Sequence, residues 1–566
     1  MIKIVTVWFF LFLSSALYAE GLTPVFHGNK HIKERKLYEI LDLYKPYSYE
    51  FYKDEPKINP KIIPIVIETL QGFYKSKGFY HAKITSKIEN TKVIFNIQEN
   101  TPVKITQIDI DSPLPLKKSL GVKIGDIFDA QKFIESKKSL KLLYHNHGYA
   151  NAEFYTKAYI DIVKNSAKLV YRVTPKNICR FTDIVIHPPK SIDKKIIRSL
   201  LYFHQGDIYS PLSIEKSYKN LYAYDGISQA IIKSTIYNNK DVNVTVSVKE
   251  TRKPIRLQLG LGASSDEGAS ASFGIKHRNF YGNLKTLSLD TRVTRIKQSI
   301  QLRYTIPMAQ KNILGSEINF ENENFFGFKE NRALAKGYFS QRDEYNWLQE
   351  ALILDTSHAY DSTDIFLFPE STLMLISPRI SWKYDTRDKI LDPSKGFFID
   401  TQIQGSFKNE FSDATYYKAV LNGAYILPLQ TNIIATKIKI GSLHTYNGDV
   451  PNSYRFFAGG MNSNRAYGYR LLGPKDNENN PSGFNSLIET TIEYRFHIYQ
   501  DFNGVVFNDN SFIGQTYKPN HTVGYYSAGF GLRYKTVIGP LAIDLGFDPQ
   551  KPLEQHALHF HVGELF

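Results

Sequence analysis

From about Lys253 to Phe566 the side chains alternate one by one between apolar and polar. In Ile255–Ser264, one face carries Ile255, Leu257, Leu259, Leu261 and Ala263, and the other carries Arg256, Gln258, Gly260, Gly262 and Ser264. Residues 299–306 repeat the pattern until Pro307 breaks it, and 379–385, 488–498 and 527–535 follow suit. A period of two belongs to a strand, because successive side chains leave a pleated backbone on opposite sides. One face suits hydrocarbon, and the other, which includes charges, needs water. Together they describe a transmembrane β-barrel with a wet lumen. A soluble sandwich also alternates, but its polar face looks outward. At about 20 residues per strand and connection, the segment 254–566 holds roughly 16 antiparallel strands, with 14 the alternative.

The beginning of the chain points to export. Lys3 supplies a positive charge, Ile4 to Leu13 an apolar run and Ser14 to Ala19 a small-residue end. The run falls short of the ~20 residues a spanning helix needs, so 1–19 read as a signal peptide cut after Ala19, with Leu17 an imperfect −3 residue. A lone Cys179 excludes an intrachain disulfide framework and reads as a small buried residue. The net charge of +15 fits anionic membrane surroundings. With no basic block interleaved with stacking aromatics, no nucleic-acid partner is expected. The 38 Tyr and 37 Phe suit the two interfacial girdles of a barrel.

Between these parts a pattern recurs three times: Tyr74, Gly78 and Ala82; Tyr144, Gly148 and Ala152; Tyr222, Gly226 and Ala230. Each copy is expected to close a helix whose start is marked by Asn59-Pro60, Asp129 or Ser210-Pro211. The glycine then supplies a left-handed stop. Two alternating segments follow (81–88 and Lys92–Gln98; 230–237 and 242–249), and a further strand opens the next unit at 103–110 and 180–186. A weaker helical stretch separates that strand from the repeated helix. The order strand–helix–helix–strand–strand resembles the POTRA (polypeptide-transport-associated) module, with copies at 22–101, 102–176 and 177–252. Three scaffold modules without a binding role are the plain alternative. The exposed edge strand of so small a sheet can accept an incoming strand by backbone pairing.

Several local motifs are similar to those of the BamA/TamA superfamily of outer-membrane assembly barrels. Asp385, Arg387, Asp388, Pro393 and Gly396 resemble its strand-and-turn motif. Residues 456–468 resemble the long extracellular loop that folds into the lumen, with Arg465-Ala466-Tyr467 where the family carries Arg-Gly-Tyr or Arg-Gly-Phe. If position 466 requires a positive φ, alanine is strained there. Residues 486–496 with Glu493, 505–509 with Asp509, and 539–544 look like the strands that follow. Three modules and this length are most similar to the TamA type. The resemblance implies a bacterial outer-membrane location with the modules in the periplasm. It also implies partners: unfolded outer-membrane protein clients, outer-membrane lipid and, for a TamA type, a TamB-like inner-membrane-anchored protein.

A guanidinium inside a barrel needs acceptors, since desolvating an ion costs several kcal/mol. The resemblance singles out Glu493 and Asp509 as partners of Arg465, a lock holding the loop and Tyr467 in the lumen. Alternation along 488–498 sets Glu489, Thr491, Glu493 and Arg495 on the luminal face. The expected working element is a lateral seam between the first strand and 558–566, where Gly260, Gly262 and Gly563 weaken the strands and Phe566 ends the chain. No enzymatic signature is present: there is no Gly-x-Ser-x-Gly elbow, phosphate loop or Cys-x-x-Cys. No cofactor or metal is expected. His559 and His561 share a face but read as polar lining, and Asp385, Asp388 and Asp392 as turn formers. The leading function is insertion or translocation of outer-membrane clients. A dedicated two-partner secretion exporter and a passive channel are the alternatives.

Overall fold

The computed structural model describes residues 21–46, 54–116, 120–238, 240–429, 432–499, 501–518, 523–536 and 539–562. The signal segment 1–19, Gly563 and Phe566 lie outside the described residues. The chain divides into two compact units: the first holds two modules, and the second holds the third module with the barrel.

Module one runs β1 (Thr23–His27), α1 (Glu34–Ile40), α2 (Ile63–Ser76), β2 (Lys83–Glu89) and β3 (Lys92–Gln98). Its sheet has the order β1-β3-β2, with β1 parallel and β2 antiparallel to the central β3. Module two repeats this with β4 (Lys104–Asp111), α3 (Ala130–Asn146), β5 (Glu153–Asp161) and β6 (Ser166–Thr174), in the order β4-β6-β5. Among the described residues no helix precedes α3, so the weaker first helix appears only in modules one and three. Asn59 and Asp129 cap their helices as the sequence suggests: their side chains accept from Lys61, and from Gln131 and Lys132. Tyr74 and Tyr144 are fully buried in the two cores, and Gly78 and Gly148 adopt the positive φ that stops a helix. Cys179 is buried.

Module three keeps the order but not the details. Its elements are β7 (Arg180–His187), α4 (Lys194–Ser199), α5 (Pro211–Tyr222), β8 (Ile227–Tyr237) and β9 (Asp241–Glu250), with sheet order β7-β9-β8. In α3 the buried face is Phe133, Ser136, Leu140 and Tyr144, whereas in α5 it is Ser217, Asn220 and Leu221. Aligned on the repeat, Leu140 and Tyr144 correspond to Tyr218 and Tyr222. The helix has therefore turned by about one residue, or ~100°, and Tyr222 is 51% exposed. Gly226 is correspondingly not left-handed, contrary to the expectation from the repeat. It serves close approach instead: a Cβ there would lie 2.7 Å from the Arg278 carbonyl oxygen in the turn between the second and third barrel strands.

That turn is itself unusual. Tyr281, Gly282, Asn283 and Leu284 all have positive φ, and Leu284 is buried. L-residues pay about 1–2 kcal/mol each for this conformation, and docking against the third module offsets the cost. Asn283 donates its N–H to the Ser191 carbonyl (2.9 Å) and accepts from the Asp193 N–H (2.7 Å). Asn279 donates to Glu250 (2.6 Å) and Ser191 (3.1 Å) and accepts from the Leu284 N–H (2.7 Å).

From Ile255 on, 16 strands form one sheet in chain order, each antiparallel to the next, the count expected from length. The first strand has the bounds read from alternation, Ile255–Ser264. Leu257, Leu259 and Leu261 face outward, as do Ile492, Tyr494 and Ile498 of strand Ser486–Tyr499, while Glu489, Glu493 and Arg495 are buried inside.

Two outcomes follow from these contacts. Gly226→Ala should loosen the third module from the turn between the second and third barrel strands, with a loss of about 1–3 kcal/mol from overpacking, read from the unfolding midpoint in detergent. In the first unit, burial pushes the Asp129 carboxyl up, but the Lys77 ammonium 2.8 Å away and the Lys132 and Gln131 amides outweigh it and hold the pKa low. A depressed folded-state pKa stabilises above the unfolded value of about 4, and this stabilisation is lost as pH falls through the folded value. The protection factors of the Gln131 and Lys132 amides, each rate normalised to the intrinsic rate at that pH, should fall on acidification, and Asp129→Ala should reproduce the low protection at neutral pH.

Candidate functional site

The connection 449–485, between strands Asn432–Gly448 and Ser486–Tyr499, folds back inside the barrel. Its Tyr454, Phe456, Ala458, Leu472 and Phe484 pack against Leu375, Tyr416, Leu443, Leu487 and Ile513 of the wall. Arg465, deeper in this loop, is fully buried. Its guanidinium donates to both oxygens of Asp509, Nε to Oδ2 and Nη2 to Oδ1, each at 2.9 Å. Nη1 reaches Glu493 and Asp544, each at 3.1 Å, and the Arg465 N–H also donates to Asp509 (3.1 Å). The planar cation lies 3.3 Å from the centre of the Phe507 ring.

Two further guanidinium groups complete the balance. Arg495 donates to Glu493 (2.8 Å), and Arg533 forks onto Asp544 (2.5 and 3.0 Å). Three cations thus face three carboxylates from four neighbouring strands and one loop. Removing any one member leaves an opposite charge buried and uncompensated.

The structure brings Glu493 and Asp509, singled out by the resemblance, onto the Arg465 guanidinium. Asp544, Arg533 and Phe507 were not singled out, although alternation sets Arg533 on the same face as Ser527, and Asp544 lies in the recognised 539–544 segment. Tyr467 is part of the loop tip: its hydroxyl lies 3.4 Å from Asp548, its ring meets Tyr525 edge-on, and its carbonyl accepts from Gly460. Ala466 is buried and has no positive φ, so it carries no strain. The close approach rests on the wall instead. A Cβ on Gly546 would lie 2.3 Å from the Arg465 carbonyl oxygen.

His559 is more than lining. Its Nε2 donates to the Arg465 carbonyl (3.1 Å), since that oxygen can only accept, and its Nδ1 lies 3.2 Å from Ser265 Oγ across the seam. Asp266, buried beside it, accepts from the Met461 N–H of the luminal loop (3.0 Å). Among the described residues no ladder joins the first strand to the last, His556–Val562, and the bond from Ser265 N–H to the Phe560 carbonyl (3.1 Å) is the backbone hydrogen bond that crosses. Leu259 and Leu261 are 83% and 92% exposed along this edge. Gly260 and Gly262 pair with Ser272 and Ser270, whose hydroxyls fill the space a side chain would need.

The strand-and-turn residues form a separate, self-contained group. Arg387 forks back onto Asp385 (2.9 and 2.8 Å), and Asp388 accepts from the Ser394 and Lys395 amides. Gly396 has φ +127° and sits where a Cβ would strike the Arg387 backbone. The Pro393 carbonyl lies 3.5 Å from Arg495, next to the charged cluster.

Arg465→Ala should cost about 3–5 kcal/mol through the stranded carboxylates and expose 449–485 to protease. Heat-modifiable gel mobility and limited proteolysis would read both effects. Arg465→Lys should rescue little, because an ammonium cannot fork onto Asp509.

Comparison with known proteins agrees with this architecture. Residues 234–566 match the Omp85 superfamily domain, and 25–100, 112–176 and 180–251 match the POTRA model described as surface antigen variable number repeat. The chain is 21% identical over 95% of its length, and 72% of the relative's, to outer membrane protein assembly factor BamA of Nitratidesulfovibrio vulgaris. It is 20% identical to that of Neisseria meningitidis, covering 96% of this chain and 77% of the relative. The crystal structure of Haemophilus ducreyi BamA lacking POTRA domains 1–3 superposes with a TM-score of 0.63 at 18% identity, over 81% of this chain and 99% of that one. The chain belongs to the Omp85 superfamily.

Proposed function

We propose that this protein is an outer-membrane insertase or translocase that aids assembly or secretion of β-barrel or autotransporter-type clients by strand pairing at its lateral seam. The observation that carries this reading is the seam itself. A strand edge in hydrocarbon is costly unless its backbone groups are paired, and an incoming client strand supplies that pairing. The names of the relatives, assembly factors for outer-membrane proteins, favour the same class of work. The Arg465 cluster holds the luminal loop and keeps the C-terminal strands in register while the edge opens. Gly260 and Gly262 belong to the first of the strands that part, and Gly563 and Phe566, named from the sequence for the same seam, lie outside the described residues.

The three modules favour a TamA type, for which a TamB-like periplasmic protein would be the docking partner and outer-membrane lipid the surrounding one. A passive channel fits less well, because the apolar packing of 449–485 against the wall takes up part of the lumen where a pore needs water. A dedicated two-partner exporter differs by its clients. Depletion should remove several outer-membrane barrels for an insertase, one exported protein for a dedicated exporter and none for a channel.

A disulfide or short reducible crosslink between Ser265→Cys and Phe560→Cys, whose backbones are hydrogen-bonded across the seam at 3.1 Å, in a Cys179→Ser background, should abolish client insertion into proteoliposomes until reductant is added. Normal insertion with the seam locked would exclude the seam as the working element.

A further inference from the structure

An edge strand in a three-stranded sheet offers every second residue's N–H and C=O to a newcomer. In the third module that edge is β8, and two of its residues are already served. The Tyr222 hydroxyl accepts from the Ala230 N–H (3.1 Å) and donates to the Ala230 carbonyl (3.2 Å). The Tyr218 hydroxyl does the same at Ile232, accepting at 2.6 Å and donating at 3.1 Å. Each phenol thus supplies the donor and the acceptor that a partner residue in an antiparallel strand would supply. The two rings stand one helical turn apart on α5, nearly parallel at 11° with centroids 6.5 Å apart, a spacing that matches alternate residues of β8.

The one-residue rotation of α5 makes this possible. The aligned pairs, Leu70 with Tyr74 and Leu140 with Tyr144, point into their cores and are fully buried. In module three Leu221 takes the core position, and the two tyrosines are left at the sheet edge. Among the described residues no side-chain hydrogen bond reaches the outer edge of β2 or β5.

We propose that Tyr218 and Tyr222 mask the third module against strand addition. Extended client segments then pair with the edges β2 and β5, and can use β8 only by displacing two phenol hydroxyls. Beyond Ile232, alternation leaves only Ser234 and Ile236 to offer outward backbone groups, too short a run for a stable pairing. The ligand class is any extended peptide able to form a ladder, independent of its side chains.

The test uses the full chain in nanodiscs, hydrogen exchange and a synthetic ten-residue peptide of alternating valine and threonine. Wild type should show peptide-dependent protection in 83–89 and 153–161 but not in 227–237. The double variant Tyr218→Phe/Tyr222→Phe keeps the rings and removes only the hydroxyls. Its Ala230 and Ile232 amides should exchange about tenfold faster, in line with one lost hydrogen bond each, and the peptide should restore their protection. Equal protection of 227–237 in both proteins would overturn the proposal, as would an unmasked β8 that takes no peptide while β2 or β5 does. If the peptide protects none of the three strands, strand acceptance by the modules fails as a whole and the mask with it. Because client insertion is not the readout, these outcomes stay separate from the fate of the seam.

Discussion

A backbone crossing hydrocarbon must pair its own N–H and C=O groups, and every other feature of the second unit answers to that demand. Sixteen strands satisfy it by running antiparallel in chain order, so nearly all groups pair between neighbours. Among the described residues the unpaired edge lies where the first strand meets the last. The rest of this outer-membrane barrel, with its POTRA modules in the periplasm, pairs strand to strand.

The inside of the wall is organised by charge rather than by apolar fit alone. Arg465 is anchored on Asp509, Glu493 and Asp544, and these carboxylates are held in turn by Arg495 and Arg533. Such a network adds little net stability over an apolar substitute of the same shape, yet it is strongly selective in geometry. A loop displaced by an ångström loses a forked hydrogen bond and leaves charge unscreened. The same loop adds an apolar layer nearer the extracellular end, so charge fixes its position and packing excludes water above it.

Much of this was legible in the sequence because the physics repeats with a simple period. Alternation marked the first strand to the residue and placed Glu489, Glu493 and Arg495 indoors. The partners of Arg465 were half legible. Asp509 and Glu493 came from motif resemblance, but Asp544 meets Arg465, and Arg533 meets Asp544, only after the sheet has curved round, which no local window records. The repeat was misleading in its third copy for a related reason. Tyr222 and Gly226 occupy the right places in the pattern, yet the buried face of α5 is Ser217, Asn220 and Leu221, and the small or polar character of the first two hid the core side of the helix. Docking to the turn between the second and third barrel strands, through Asn279 and Asn283, was equally invisible.

The loop tip holds one more lesson. Clearance for the Arg465–Ala466 backbone is cut into the wall at Gly546, not into the loop. The tripeptide can therefore carry a methyl group at its centre with an ordinary backbone, and its freedom to vary is paid out by a strand 80 positions downstream that has none. In a fitted pair of surfaces the tolerance falls to the side that faces the recess, and here that side is the loop.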